Sequence, residues 1–561
     1  MVTGIRTANR RRRTYAKFAP HYTRPPPHPM LLQTIIFLSG GAILALELLA
    51  SRIMTPYFGV SLYIWTGILS ITLIALAVGY WTGGKLANSR KLDAGRLLEL
   101  YCVLPAVASL SIFAACLIYP SLFASLASWS LVSGAFVACT ILLAAPLVAT
   151  SAMNPLLVAI QKRGEGQSGD SGSGQVFFIS TIGSVAGVLI TAFGLIPYVS
   201  NYDAVLIVAA VLASLSLAAV LRAPKSLKRR TAITVTGTAG LLASLLLLWQ
   251  ADAYTGRAGM VSYQGAQWRV EGTFRSLFGT VKILRQGVDA TGGPANRMYF
   301  QDGLTQNGIE ASGRSSSFYT YALEALAIAY RPDAKNVLAL GLGAGMTPAR
   351  LAARGIHTEV VEIDPASLQA ARRFFALDEK KTPVHQTDAR TFVRACPRAY
   401  DVLIVDLFHG DGTPDYLITR DFFRDLRRCL GKDGIAVFNT FADLQNTTGY
   451  AHLLVTLKSE LPHLTLYRPA HEGATHTNSF IVASGSALRQ PERVTMDYVP
   501  AMKETLLWDM LAAPMPLEAK LFEGGKIITD AHNRAALDLA HVQSVYRSSV
   551  IGFTPAELLL N

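Results

Sequence analysis

Asn336-Val337-Leu338-Ala339-Leu340-Gly341-Leu342-Gly343-Ala344-Gly345 is the stretch that decides the fold of the C-terminal half. A short apolar run of this kind reads as a buried strand, and three glycines at alternate positions follow it at once. Glycine leaves out the Cβ where backbone turns sharply or a ligand comes close. The helix that opens after Gly345 offers unpaired N–H groups to that ligand. Taken alone, Gly-x-Gly-x-Gly occurs in many turns. What sharpens it is a second strand, Glu359-Val360-Val361-Glu362-Ile363-Asp364, which puts Glu362 17 residues beyond Gly345. A strand-end carboxylate at that distance accepts both hydroxyls of a ribose.

Working outward, an apolar helix at 317–330 precedes this unit, and further strand–helix units follow at 384–395, 400–430 and 434–460. The alternation predicts a mainly parallel sheet with helices on both faces. Ligands of such sheets sit beyond the carboxyl ends of the strands. Asp388-Ala389 lies at the third of those ends, where Asp388 reads either as the cap of the next helix or as a reader of the adenine edge. Asp406 closes the apolar run Val402–Val405, where a fully buried carboxylate would be costly. It belongs at the mouth of the site, as a base or as a group orienting an amine. His409 in the loop beyond reads either as an exposed residue or as a base titrating near neutrality. Ahead of the sheet, 258–311 is rich in short β-prone runs broken by glycines.

The N-terminal half is of another kind. From Met30 to Trp249 long apolar runs alternate with short polar links, giving seven candidate spans at 30–54, 62–86, 97–119, 126–150, 174–198, 203–222 and 231–250. Each approaches or exceeds the ~20 residues that carry a helix across a ~30 Å hydrocarbon core. Lys and Arg crowd the tail before span one and the links after spans two, four and six, whereas 55–61, 120–125 and 199–202 carry none. That asymmetry puts the N-terminus in the cytoplasm and the chain in the inner (cell) membrane, with the lipid bilayer as partner. Seven crossings then carry the polar half to the outer face. The stretch from span four to Gln161 contains Pro146 and Pro155, and a re-entrant or miscounted segment there would reverse this. Glu47 and Arg52 in the first span read as helix-end anchors.

Composition narrows the rest. The chain has 561 residues, 51% hydrophobic and 16% charged, which disfavours a purely soluble or a disordered protein. Lys and Arg number 51 against 38 acids, a net +13, but residues 1–29 hold seven of these cations and no acid. An excess so localised orients a helix and does not describe a nucleic-acid surface. Cys396 and Cys429 are far apart in sequence and give no disulfide framework. No metal site is expected, because His463, His471 and His476 lack a Cys or Glu at ligand spacing. The chain divides into a basic tail (1–29), a multi-span domain (30–250), a β-rich lead-in (251–315), a nucleotide-binding domain (316–490) and a C-terminal extension (491–561).

Several motifs fall in one order: Asp302-Gly303 with Gln306, the loop Gly341–Gly345, Val361-Glu362-Ile363-Asp364-Pro365, Asp388-Ala389-Arg390, Tyr400–Asp406 and Leu417–Phe423. In these, residues 260–490 resemble the spermidine synthase family of polyamine aminopropyltransferases. Leu46-Glu47-Leu48-Leu49-Ala50-Ser51-Arg52 and Gly525-Lys526-Ile527-Ile528-Thr529-Asp530 resemble its bacterial fusions to a transporter-like bundle. The resemblance implies a class I methyltransferase-like (Rossmann-like) fold and an S-adenosyl-type nucleotide, decarboxylated or not, as co-substrate. It implies nucleotide contacts from Gln306, Gly341, Gly343, Gly345, Glu362, Asp388 and Ala389. Asp302, Tyr319 and Asp411 would face a small amine acceptor, with Asp406 and His409 as catalytic groups, in a homodimer. The family's acids are replaced at three places, unless a gap lets Asp411 serve as the last. Ala344 stands where an Asp holds the aminopropyl ammonium, Ser315-Ser316 where an Asp-Glu pair precedes the tyrosine, and His409 where a second acid follows Asp406. Methyl transfer from S-adenosylmethionine, which needs no acidic groove, and a non-catalytic nucleotide sensor coupled to a transporter are the alternatives.

Overall fold

The computed structural model describes residues 29–60, 62–165, 171–223, 227–257, 259–287, 295–407, 412–443, 448–469, 476–496, 498–538 and 540–561. Among them are seven helical segments long and apolar enough to cross a membrane: Met30–Phe58, Ile64–Ala87, Ala94–Trp129, Leu131–Arg163, Gly172–Leu195, Asn201–Arg222 and Arg230–Trp249. Spans three and four differ from the sequence reading. Span three runs through Pro120 to Trp129, well past residue 119, and the break falls at Ser130. Ser130 ends one helix through its N–H to Leu126 and caps the next by accepting from Ser133 N–H at 3.3 Å. Span four continues through Pro146 and Pro155, with a π-turn at Thr140–Ala144, and reaches Arg163.

Spans one and five pack closest. A Cβ at Gly40 would run into the carbonyl of Ser180, at Gly183 into that of Phe37, and at Gly187 into that of Gly41. Small residues permit this approach, which supplies dispersion contact between the two helices.

The polar half begins with a five-stranded antiparallel sheet in the order β1-β2-β3-β4-β5: Met260–Tyr263, Ala266–Ser276, Gly279–Gln286, Arg297–Gln301 and Leu304–Ile309. A seven-stranded sheet follows, in the order β11-β12-β10-β9-β6-β7-β8. Its central strands β6 (Asn336–Leu340), β7 (His357–Glu362), β8 (Val384–Gln386), β9 (Tyr400–Val405) and β10 (Leu430–Asp443) are parallel. The edge hairpin β11 (His463–Tyr467) and β12 (His476–Ser484) is antiparallel. Both faces are covered, as alternate residues of β6 show. Val337 and Ala339 join the cluster under helices Phe318–Tyr330 and Ala501–Ala512, while Leu338 and Leu340 join the one under Ala389–Ala395, Arg420–Cys429 and Thr448–Glu460. This is the Rossmann-like methyltransferase fold.

The extension after 490 is part of the structure on both sides. Residues 526–530 brace the sheet domain, with Lys526 N–H donating to His452 Nδ1 and Ile528 N–H to Thr456 Oγ1. The chain then returns to the bundle. Arg547, fully buried, donates from Nη1 to the carbonyls of Thr55, Pro56 and Asp302 at 2.8–3.1 Å. Buried Lys282 donates to the carbonyls of Leu558 and Leu560. Arg52 is likewise an anchor, donating from the end of span one to Leu277 O.

One sequence expectation is overturned: Cys396 and Cys429 form a disulfide, Cα–Cα 5.7 Å. Their 33-residue separation is closed because the helices that end beside them pack side by side.

Gly187→Leu is expected to lose the monodisperse detergent-extracted protein, since a side chain there forces spans one and five apart. Gly84→Leu, with nothing within 4 Å of its Cβ position, should be tolerated. Size-exclusion profiles of the two variants check this, and an unaltered Gly187→Leu profile would contradict the packing.

Candidate functional site

A cavity of roughly 240 Å³ lies beyond the carboxyl ends of β6, β7, β9 and β10. Its floor is the glycine loop. Gly341 has φ +95°, and a Cβ there would strike the carbonyl of Asp406, so only glycine fits between the two strand ends. Gly343 also lines the cavity, whereas Gly345 lies behind it, in the left-handed region at φ +75°, as the N-cap of helix Met346–Ala353.

Glu362 is the best-held acid. Its Oε2 accepts from Leu342 N–H at 2.9 Å and its Oε1 from Asp364 N–H at 2.7 Å. Burial pushes its carboxyl up to about 7, against the pull of those two N–H groups. Each oxygen keeps a second lone pair, so the same carboxylate can also accept two hydroxyls. Asp388 fills the capping role and also lines the cavity. Its Oδ1 caps helix Ala389–Ala395 through Thr391 N–H at 2.8 Å, and its Oδ2 accepts from Tyr416 Oη at 3.2 Å on the cavity wall. Arg390, paired with Asp530, donates to Tyr416 O at 3.0 Å, so residues 526–530 stiffen this wall.

Opposite lies a polar chain that sequence reading missed. Asn478 Nδ2 donates to Asn439 Oδ1 at 2.8 Å, and Asn439 Nδ2 donates to Asp406 Oδ1 at 2.9 Å. All three line the cavity. Burial pushes Asp406 up to about 6, while the Asn439 donor favours its ionised form. A signal was available. Asn439 directly follows the apolar run of β10, and Phe438 is in register with Val405, so Asn439 sits level with Asp406. Asn478 carried no such signal, because it lies on an antiparallel strand whose register is not written in its own sequence. Phe441 and Tyr546 close this end, with ring centroids 4.8 Å apart.

Gln306, Tyr319 and Ala389 line the same cavity, and burial together with the Asp406 charge raises the Tyr319 hydroxyl. Asp302 is placed elsewhere. At φ +45° in the β4–β5 turn, it accepts Thr280 N–H at 3.0 Å and is not among the residues that line the cavity. Its carboxylate holds a hairpin together. His409 and Asp411 lie outside the described residues. Ala344 is not among the residues that line the cavity and belongs to an apolar cluster with Val281, Ile283 and Tyr299. An aspartate there would be buried without a partner.

Strand order, glycine loop and strand-end acids together define a domain of the Rossmann-like methyltransferase fold. Residues 316–460 match the family model for the spermine/spermidine synthase domain. An N-terminal histidine N-methyltransferase of Emericella nidulans is 36% identical over 165 residues, 28% of this chain and 29% of that protein. The polyamine aminopropyltransferase of Vibrio vulnificus is 28% identical over 231 residues, 39% of this chain and 75% of that protein. Among solved structures, a probable spermidine synthase from Corynebacterium glutamicum has a TM-score of 0.37 at 18% identity, covering 46% of this chain and 96% of that one. The C-terminal region of the chain carries a spermidine synthase domain.

Glu362→Ala should weaken S-adenosyl nucleotide binding about 100-fold, by loss of paired hydroxyl acceptors. Glu362→Gln, which keeps the volume but cannot accept at both ends, should fall between it and the native protein. Calorimetric titration checks both, and unchanged affinity in both would contradict the ribose role.

Proposed function

We propose that the chain is a membrane-anchored, spermidine synthase-like transferase that moves an aminopropyl group from decarboxylated S-adenosylmethionine to a small amine. The observation that carries the reading is the juxtaposition of Glu362 and Asp406 across one cavity floored by the glycine loop. Glu362, Gln306 and Asp388 hold the nucleotide, and Asp406 faces the acceptor. The amine lone pair attacks the carbon bonded to the sulfonium sulfur. As the new C–N bond forms the C–S bond breaks, and its electron pair stays on sulfur as a neutral thioether. The proton shed by the nitrogen passes to Asp406, which Asn478 and Asn439 hold in place. Because sulfur is already a good leaving group, the residues contribute alignment and proton removal.

Ala344 favours a second reading. With an apolar cluster where the family holds the aminopropyl ammonium, methyl transfer from S-adenosylmethionine becomes the competing reaction. The relative from Emericella nidulans, an N-terminal histidine N-methyltransferase, points the same way. Anchoring in a bilayer is supported by the outward apolar belt of the bundle, where Leu73, Phe178 and Leu242 are each at least 60% exposed.

Titration of the full chain in detergent with both nucleotides separates the readings. Tighter binding of the decarboxylated form supports aminopropyl transfer, tighter binding of the carboxylated form supports methyl transfer, and no binding of either removes both. The rate should rise with pH through about 6, because Asp406 accepts a proton only when ionised. Asp406→Asn should abolish that limb and lower kcat by roughly 10²–10⁴-fold. Asn439→Ala removes a donor that favours the carboxylate, so the limb should move to higher pH. A limb unmoved in both variants would exclude Asp406 as the base.

A further inference from the structure

The two ends of the helical bundle differ in charge, and the transferase domain sits on one of them. Three links lie together at the end remote from the domain. Arg163 of span four donates to Ala87 O and Leu92 O beside the link after span two, both at 2.7 Å. Arg229 N–H, after span six, donates to Glu99 at the start of span three at 3.1 Å. Tyr101 Oη donates to Leu32 O, which brings the start of span one to the same end. This end gathers Lys85, Arg90, Lys91, Arg96, Lys162, Arg163, Arg222, Lys228, Arg229 and Arg230.

The other end holds the close of span one, the turn at Ser130 and the start of span six. There Arg547 binds Thr55 O and Pro56 O, and Tyr202 N–H donates to Asn561 O. The cations at that end are engaged by the protein, Arg52 with Leu277 O and Arg257 with Asp203 and Asp252. The cavity lies close by. Its lining residues Phe278 and Tyr546 directly follow and precede Leu277 and Arg547, the two residues tied to span one.

We infer that the transferase domain faces away from the cytoplasm, so that its acceptor is an amine presented outside the cytoplasmic compartment. Cytoplasmic links collect Lys and Arg, and here the domain occupies the opposite end. Span four, Leu131–Arg163, is long and apolar enough to cross completely, which favours the odd count over a re-entrant segment. An independent observation agrees. Cys396 and Cys429 are disulfide-bonded, a state that persists in oxidising compartments and is rare in the cytosol. A sulfonium nucleotide made in the cytoplasm must then cross the bilayer before the reaction, which places a transport step ahead of this one.

The inference rests on the seven segments being membrane spans, and resistance of the full chain to alkaline carbonate extraction tests that point separately. Sidedness is read with alkaline phosphatase or green fluorescent protein fused after Asn561 of the full chain. An active phosphatase and a dark fluorescent protein are expected; an inactive phosphatase with a bright fluorescent protein overturns the inference. Thiols are counted by polyethylene glycol–maleimide on protein denatured straight from cells. Three adducts are expected before reduction, from Cys102, Cys116 and Cys139, and five after it. Five adducts before reduction would place the domain in a reducing compartment and contradict the proposal.

Discussion

The site depends on one buried carboxylate. Glu362 brings a negative charge to the junction of β6 and β7, and both its oxygens hold backbone N–H groups, from Leu342 in the glycine loop and Asp364 at the head of the next helix. Those bonds fix the loop against the second strand. They also leave two acceptor positions aimed into the cavity, where a nucleoside offers two adjacent hydroxyls. Without that carboxylate, the loop beside Asp406 would keep only backbone bonds such as Gly341 N–H to Val361 O and Gly345 N–H to Leu342 O.

Across the cavity the logic is reversed. Asp406 is not held by backbone but by a relay of two amides, Asn478 to Asn439 to Asp406. An amide relay fixes orientation without adding charge, so the carboxylate stays near the boundary between its two protonation states. A group poised there can take a proton from an ammonium or amine and later release it. The same wall is closed by Phe441 and Tyr546, the latter beside the arginine that ties the C-terminal helix to span one. The acceptor end of the site and the end of the bundle are therefore one construction.

Much of this was legible in the chain, for local reasons. A strand, three spaced glycines and an acid at a fixed distance form a pattern within about 30 residues, and such patterns read well. Asp406 was placed at a strand end by the cost of burying it. What escaped was long-range. Arg547 meets Thr55 and Pro56 across nearly the whole sequence, and the Cys396–Cys429 bond needs two helices to lie side by side first. Asp302 was matched by motif, yet its carboxylate serves a hairpin turn. The division between spans three and four was placed at 120–125, whereas the helix runs through Pro120 to Trp129. A proline inside a membrane helix is tolerated where neighbouring helices re-satisfy the freed carbonyl, and the capping Ser130 marks the real boundary.

Alkyl transfer from a sulfonium nucleotide to an amine in this cavity is read most directly from the fate of the nucleotide. Purified full-length protein would be incubated with each nucleotide and a panel of amines, and the thioether released would be quantified by mass spectrometry. The account predicts one thioether per alkylated amine: methylthioadenosine if aminopropyl moves, S-adenosylhomocysteine if methyl moves. A nucleotide that stays bound and intact with every acceptor would contradict it.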